Sequence, residues 1–299
     1  METIQFKIIE DIEQAQKYWE LLSYKETLFD LWVFRYSFYK YDNFPLHFIL
    51  GEINGEPIGL LPLQRDTTKN FLQFFGGFWM EDNKVYIKPE HKHLMPKFYE
   101  QIHEPAKLVG INPDDDFTRK LPLDGYKYQL DISQYKSYRD FIKDKFEPDT
   151  QHKFRKKIKK IEQYKVEIQK NNLGDIELLF KFSKIIFGAD SSFHDPKREA
   201  LYRDMLTLGL DVYLFTFLID GKKQAVSLCI KYNDIMYAVN SGINRTEVPD
   251  LNSYCSLIKI DEAIKSKCKT FDALMGSFGW KEPWHFKPTA FNKFTNISE

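Results

Sequence analysis

Apolar positions follow two different periods along the chain. Ile12, Ala15, Trp19 and Leu22 recur at helical spacing and predict a first helix. Leu31, Phe34, Arg35 and Phe38 define one face of a second helix over Leu28 to Tyr39. Then the period shortens. Leu46 to Ile53 and Pro57 to Gln64 are apolar runs on either side of Asn54-Gly55. That predicts a hairpin, because both central residues of the favoured turn need positive φ. Phe71 to Phe75 predicts a third strand, closed by Gly76-Gly77. A helix is expected over Glu90 to His103, and a short strand over Ala106 to Ile111.

The second half runs in the same order. Helices are predicted over Asp175 to Phe187 and Pro196 to Leu208. Strands follow at Val212 to Ile219 and Gln224 to Tyr232, around Asp220-Gly221, and at Ile235 to Ser241. A helix over Asn252 to Lys267 and a strand over Thr270 to Leu274 close the series. The residues of the halves do not align as a repeat, but the order of elements does. Two similar α/β units are therefore expected, 1–145 and 146–299. They join within Asp131 to Lys153, where Glu147-Pro148-Asp149 is a plausible break.

Composition narrows the class. Hydrophobic residues make up 43% and aromatics 16%, enough for a sizeable core, which excludes disorder. The 43 basic and 43 acidic residues cancel, so attraction to phosphate must come from a local patch. Cys229, Cys255 and Cys268 are widely spaced and odd in number, which argues against a disulfide framework. No apolar run approaches the ~20 residues of a membrane span, and the N-terminus lacks a secretory pattern. A reduced, cytoplasmic protein is the expectation.

Three stretches carry candidate chemistry. In Lys153 to Lys160, six of eight residues are basic, and Phe154, Ile158 and Ile161 form an apolar stripe. This is an amphipathic helix with a cationic face. It is either a solvated face or an anion site for coenzyme A, a nucleotide-linked substrate or tRNA. Arg155 is the best single phosphate candidate, through its planar fork. The second stretch is the turn Ser241-Gly242-Ile243-Asn244-Arg245 leading to Asn252-Ser253-Tyr254. There a helix N-terminus suits a pyrophosphate, although Asn252 or Ser253 as a simple cap is the plainer reading. The third is Phe271 to Lys281, a strand that ends in a glycine-punctuated loop with an aromatic-Lys pair. Trp284, His285 and Lys287 follow closely. His91, His93 and His103 have no Cys or fixed acidic partner, so no metal site is expected.

Together these residues resemble a known family. The basic KFRKKIKK helix, the hairpin YLFTFLIDGKKQAVSLCIKYNDIMYAVNSGIN, the helix NSYCSLIKIDEAIKSK and the closing FDALMGSFGWKEPW are similar to bacterial GNAT-related acyltransferases with a tandem fold. That group includes CelD-like proteins and, more distantly, the FemAB-type aminoacyl transferases. The resemblance implies two tandem GNAT-like domains, each a mixed, mostly antiparallel sheet flanked by helices, with the acyl-transfer site in the second. It implies an acyl-CoA donor such as acetyl-CoA, or alternatively an aminoacyl-tRNA, and an amine acceptor on a small molecule, amino sugar or peptide. The basic helix 153–160 would be the tRNA contact. The terminal motif falls on Asp272, Gly276, Trp280 and Lys281. The usual single-domain pyrophosphate loop does not stand before Asn252.

On this basis Lys281, Tyr254 and Trp280 are the expected catalytic residues: Lys281 electrostatic, Trp280 a wall, Tyr254 an acid for the leaving group. Arg155, Asn252, Ser253, Ser241 and Gly242 are expected at the donor, and Asp272, Gly276 and Lys287 at the substrate. The acyl carbonyl would lie beside Ile235 to Ser241. A catalytically silent binding protein with the same fold is the remaining alternative.

Overall fold

In the computed structural model, which describes residues 3–244, 248, 250–277 and 279–297, the chain forms two compact units. One comprises residues 1–127 and 289–299, the other 128–288.

The first unit begins with strand β1 (Gln5–Ile9) and helices α1 (Ile12–Leu22) and α2 (Trp32–Asp42). Strands β2 (Phe48–Ile53) and β3 (Glu56–Leu61) follow. Their turn has φ of 52° at Asn54 and 80° at Gly55, the conformation that selected Asn-Gly. The run expected to continue to Gln64 is split. Strand β4 (Leu63–Asp66) leaves β3 and pairs with β5 (Phe71–Phe74) instead. Pro62 stands between them, and its carbonyl accepts from the Phe75 amide. A short β6 (Tyr86–Ile87) completes the order β1-β2-β3-β6.

The helix expected over Glu90 to His103 is a 3-10 segment at Pro89–Leu94 and then a short α3 (Met95–Glu100). On α3, Phe98 lies across the sheet where Gly51 pairs with Gly59. A Cβ on either glycine would come within 2.7 or 2.6 Å of its ring. Strand β7 (Lys107–Ile111) follows. The Trp19, Trp32, Phe48, Phe75 and Tyr86 rings fill this unit's core with edge and stacked contacts.

Strand β8 (Leu123–Asp131) leads into the second unit. There come α4 (Tyr138–Lys145), α5 (Pro148–Glu162), the edge strand β9 (Val166–Lys170), α6 (Ile176–Phe187) and α7 (Pro196–Met205). Strands β10 (Asp211–Ile219), β11 (Lys222–Tyr232) and β12 (Ile235–Ile243) form an antiparallel meander, turned by Asp220-Gly221 at φ 50° and 77°. Helix α8 (Leu251–Lys265) then crosses over to β13 (Thr270–Met275), which joins β12 in parallel. The crossover is a helix because a parallel neighbour cannot be reached by a tight turn. The order is β9-β10-β11-β12-β13, with β8 beyond β13. Helix α8 covers one face, with Leu257, Ile260 and Ala263 in the same core cluster as Phe215, Phe217 and Cys229. On the other face α6 packs against β11 and β12. The last strand, β14 (Lys287–Thr295), returns the chain to the first unit and pairs with β7. No described helix is long and apolar enough to cross a membrane.

Candidate functional site

The site is built where β12 and β13 part. Their rungs run from Ile235↔Thr270 to Tyr237↔Asp272 and stop, while β12 continues to Ile243 and β13 to Met275. Beyond Tyr237 the edge of β12 that faced β13 has no ladder partner on that strand. The Ser241 amide donates to the Asn240 side-chain oxygen at 2.8 Å instead, and groups not so engaged can hydrogen-bond something else. At the same place β12 carries a bulge toward β11. Leu228 faces Asn240 and Cys229 faces Ala238, leaving Val239 as the extra residue. A bulge bends and twists its strand and re-aims the groups beside it. The Asn240 side-chain amide is held by donating to the Tyr202 hydroxyl at 3.0 Å.

Three of the expected residues, Asp272, Gly276 and Lys281, converge on the end of β13. Leu274 has φ of 61°, a left-handed conformation that costs a non-glycine residue about 1–2 kcal/mol. It is clamped from both sides. The buried Asp272 carboxylate accepts its amide at 2.8 Å and is itself held by Gln129 at 2.8 Å. The Lys281 ammonium donates to the Leu274 carbonyl at 2.9 Å, to Met275 at 3.2 Å and to Gly276 at 2.7 Å. Lys281 is 1% exposed and stands 4.8 Å over the Tyr128 ring. The sequence suggested an electrostatic role; in the fold its N–H groups are directed at the loop. Tyr128 in turn donates to Glu282, which draws that carboxyl below its ordinary value.

Trp280 is half-buried, 5.5 Å from Phe286 and 6.2 Å from Trp284. Tyr254 is half-buried on α8, and burial pushes its hydroxyl pKa up, so it keeps its proton. Lys287 is exposed at the start of β14.

The residues expected at the donor are distributed differently. Helix α8 begins at Asp250, in a left-handed conformation and without a side-chain cap, so neither Asn252 nor Ser253 is the N-cap. The Ser253 amide bonds back to the Asp250 carbonyl. Among the described residues, Lys157 brings a cation to this end, 3.2 Å from the Asp250 carboxylate. Arg155, two residues earlier, is rotated by about 200° around the helix and faces a groove beside α4. Gly242 packs on α6, where a Cβ would lie 2.7 Å from the Leu179 carbonyl oxygen. Its bareness serves helix packing. The Ser241 hydroxyl donates to Ser227 at 2.9 Å and accepts from Lys259 at 3.0 Å. Arg245 from the strand-to-helix turn and Phe278 from the terminal motif lie outside the described residues.

Lys259 was not singled out by sequence. It is 8% exposed, and among the described residues its ammonium has Ser241 as its hydrogen-bond partner and no carboxylate. Its charge is felt by the Cys229 and Cys255 thiols, which burial nonetheless pushes up to about 11 and about 12. Both are thus neutral, apolar core groups rather than nucleophiles.

Comparison with known proteins agrees with this geometry. Residues 148–282 match the family model described as an acetyltransferase (GNAT) domain. No curated protein matches the chain. Among solved structures, the chain is similar to FemX, with 10% identity, a TM-score of 0.62, and 98% of this chain and 97% of that chain covered. It is similar to a tandem GNAT protein from the clavulanic acid biosynthesis pathway, with 11% identity, a TM-score of 0.57, and coverage of 99% and 100%. It is also similar to the L-PGS of Bacillus licheniformis, with 9% identity, a TM-score of 0.61, and coverage of 97% and 93%. At these identities the likeness is one of fold: an α/β chain of tandem GNAT-like domains.

Proposed function

We propose, from the match of residues 148–282 to a GNAT acetyltransferase domain model and the tandem GNAT-like fold, an N-acyltransferase that moves an acyl group from acyl-coenzyme A to the amine of a small molecule, amino sugar or peptide. The observation that carries this reading is the parting of β12 from β13 after Tyr237. Amine acylation needs a neutral nucleophile, a polarised carbonyl and donors for the tetrahedral oxyanion. Unladdered backbone N–H groups on β12 beside the Val239 bulge, other than that of Ser241, which Asn240 engages, can supply such donors, already fixed in place by the sheet.

The amine attacks the thioester carbonyl, and the C–N bond forms. The C–S bond then breaks, and the amine loses its proton to bulk base. Tyr254, kept protonated by burial, is the proposed proton donor to the departing thiolate. Asp272 and Lys281 act as positioning residues that hold Leu274 to Gly276 in their strained path. Trp280 walls the acyl group. The donor diphosphate is proposed to rest on the first turn of α8, at Asn252 and Ser253, with Lys157 as its cation.

A second reading, an aminoacyl-tRNA donor, is favoured by the exposed Lys153, Lys156 and Lys160 of α5. Calorimetric titration with acetyl-CoA and then free coenzyme A separates the two. Micromolar binding, weakened about tenfold in Lys157→Ala, is expected for the first reading. No heat with either ligand, together with salt-sensitive retention of charged tRNA, would replace it with the second.

A further inference from the structure

We propose that the groove between α4 and α5 binds a single-chain acyl lipid with a phosphate head. The groove has a volume of about 410 Å³, within the small-molecule range of about 300–1,000 Å³. Its floor is apolar, made by Ile142, Ile158 and the Tyr138 ring. Its walls carry cations in register. Arg139 and Lys143 are one helical turn apart on α4, and Arg155 and Lys159 are one turn apart on α5. Among the described residues none of these four has an ion-pair partner. Glu162 is the acidic residue of the lining; its charge acts on Arg139, but it forms no salt bridge with any of the four.

Like charges one turn apart on a helix repel. Elsewhere in this unit neighbouring like charges are bridged by an opposite one, as where Arg203 joins Glu177 of α6 to Glu199 of α7. In the groove Arg139 is eased by the Tyr138 hydroxyl at 3.3 Å and, at longer range, by Glu162 and Asp261. Among the described residues, however, no carboxylate pairs with any of the four, and an anion from outside would relieve them. The walls are also fixed. The Gln151 amide donates to the Lys143 and Phe146 carbonyls at 3.1 and 2.7 Å, which locks the corner between the helices. The Phe146 and Phe154 rings meet edge to face at 4.9 Å beneath it. The start of α4 is tied to α8 through the Tyr138 amide and the Asp261 carboxylate, 3.0 Å apart.

An apolar floor under two cationic rims selects a ligand with both characters. A nucleic acid backbone has the charge without the tail, and a neutral lipid has the tail without the charge. Guanidinium forks on both walls favour a phosphate, which accepts bidentate bonds. This ligand is distinct from the donor proposed above, because Lys157 and Arg155 lie on nearly opposite sides of α5.

The test is titration of the whole protein with lauroyl lysophosphatidic acid below its micelle concentration, with glycerol 3-phosphate and lauroyl lysophosphatidylcholine in parallel. Saturable binding of the first is expected, at least about tenfold tighter than of either control. It should weaken about tenfold in Arg155→Gln/Lys159→Gln and, on the other wall, in Arg139→Gln/Lys143→Gln, each checked for native circular dichroism. Two separate walls keep the result readable if one variant misfolds. Absence of saturable binding overturns the proposal. Equal binding of the choline lipid reduces it to tail adsorption, and equal binding of glycerol phosphate to a plain anion patch; each overturns it. Acetyl-CoA titrated into the same variants should bind as to the parent. Loss of acetyl-CoA with retention of the lysolipid would make Arg155 a donor residue and overturn the separation of the sites.

Discussion

Lys281 and Lys259 are both buried ammonium groups, and the protein deals with their burial in opposite ways. Lys281 gives its N–H groups to carbonyls that a left-handed Leu274 turns toward it. Among the described residues Lys259 has one hydroxyl partner, Ser241. A buried charge with so little compensation costs stability, and such costs are retained chiefly where function needs them. Lys259→Met is therefore expected to stabilise the protein, by about 1–3 kcal/mol in urea denaturation. A lower midpoint would mean that the bond to Ser241 outweighs the desolvation it accompanies. The sequence made Lys281 visible, because an aromatic-Lys pair after a glycine loop is unusual. It concealed Lys259, which reads as one more polar position in the mixed run NSYCSLIKIDEAIKSK. Only the packing of α8 on β11 and β12 turns that position inward.

At the scale of elements, local pattern decided most of the hairpins, and neighbours decided the rest. Asn54-Gly55 and Asp220-Gly221 are turns because of their own residues. Edge strands β1 and β9 escaped the reading because their exposed positions break the apolar run. The amphipathic face of α5 was legible from Phe154, Ile158 and Ile161, since helical period needs no tertiary information. Which of its cations would meet α8 was not, and the answer is Lys157 rather than Arg155. Gly242 looked like part of a phosphate loop; in the fold it is a contact point between β12 and α6. Gly242→Ala should cost about 1–3 kcal/mol, since the Leu179 backbone must move to admit the methyl group. Calorimetric melting would check this, and an unchanged midpoint would mean that α6 yields freely.

At the scale of the molecule, acid should unfold the protein in two stages. Burial lowers the His47 pKa from its ordinary 6.5, so the unfolded chain binds the proton more tightly there. Its contribution is complete above pH 6.5 and is lost as pH falls from that value through the depressed folded one. The Glu104 carboxyl, beside Arg65, and Glu177, beside Arg203, are held below their ordinary 4.5. So is Glu199, chiefly by Lys184. Their contributions hold above 4.5 and fall away as pH drops through their folded values. Asp114 opposes this weakly, because burial raises its pKa. Thermal midpoints should therefore be level from pH 7 to 8, decline first below about 6.5, and decline again below about 4.5. His47→Gln should remove the first decline only. An early decline that persists in that variant would assign the loss elsewhere.

The amino-acid sequence by itself determined the alternation of helices and strands, the two hairpin turns, the cationic face of α5 and the aromatic-Lys loop. Each depends on residues close together in the chain, whose period or backbone preference acts locally. Tertiary structure alone decided that β12 and β13 separate after Tyr237, that Asp272 and Lys281 grip the same strained leucine, and that β14 returns to pair with β7. These join residues far apart in sequence. They exist only once helix crossover, sheet register and core packing have brought the distant segments to the same place.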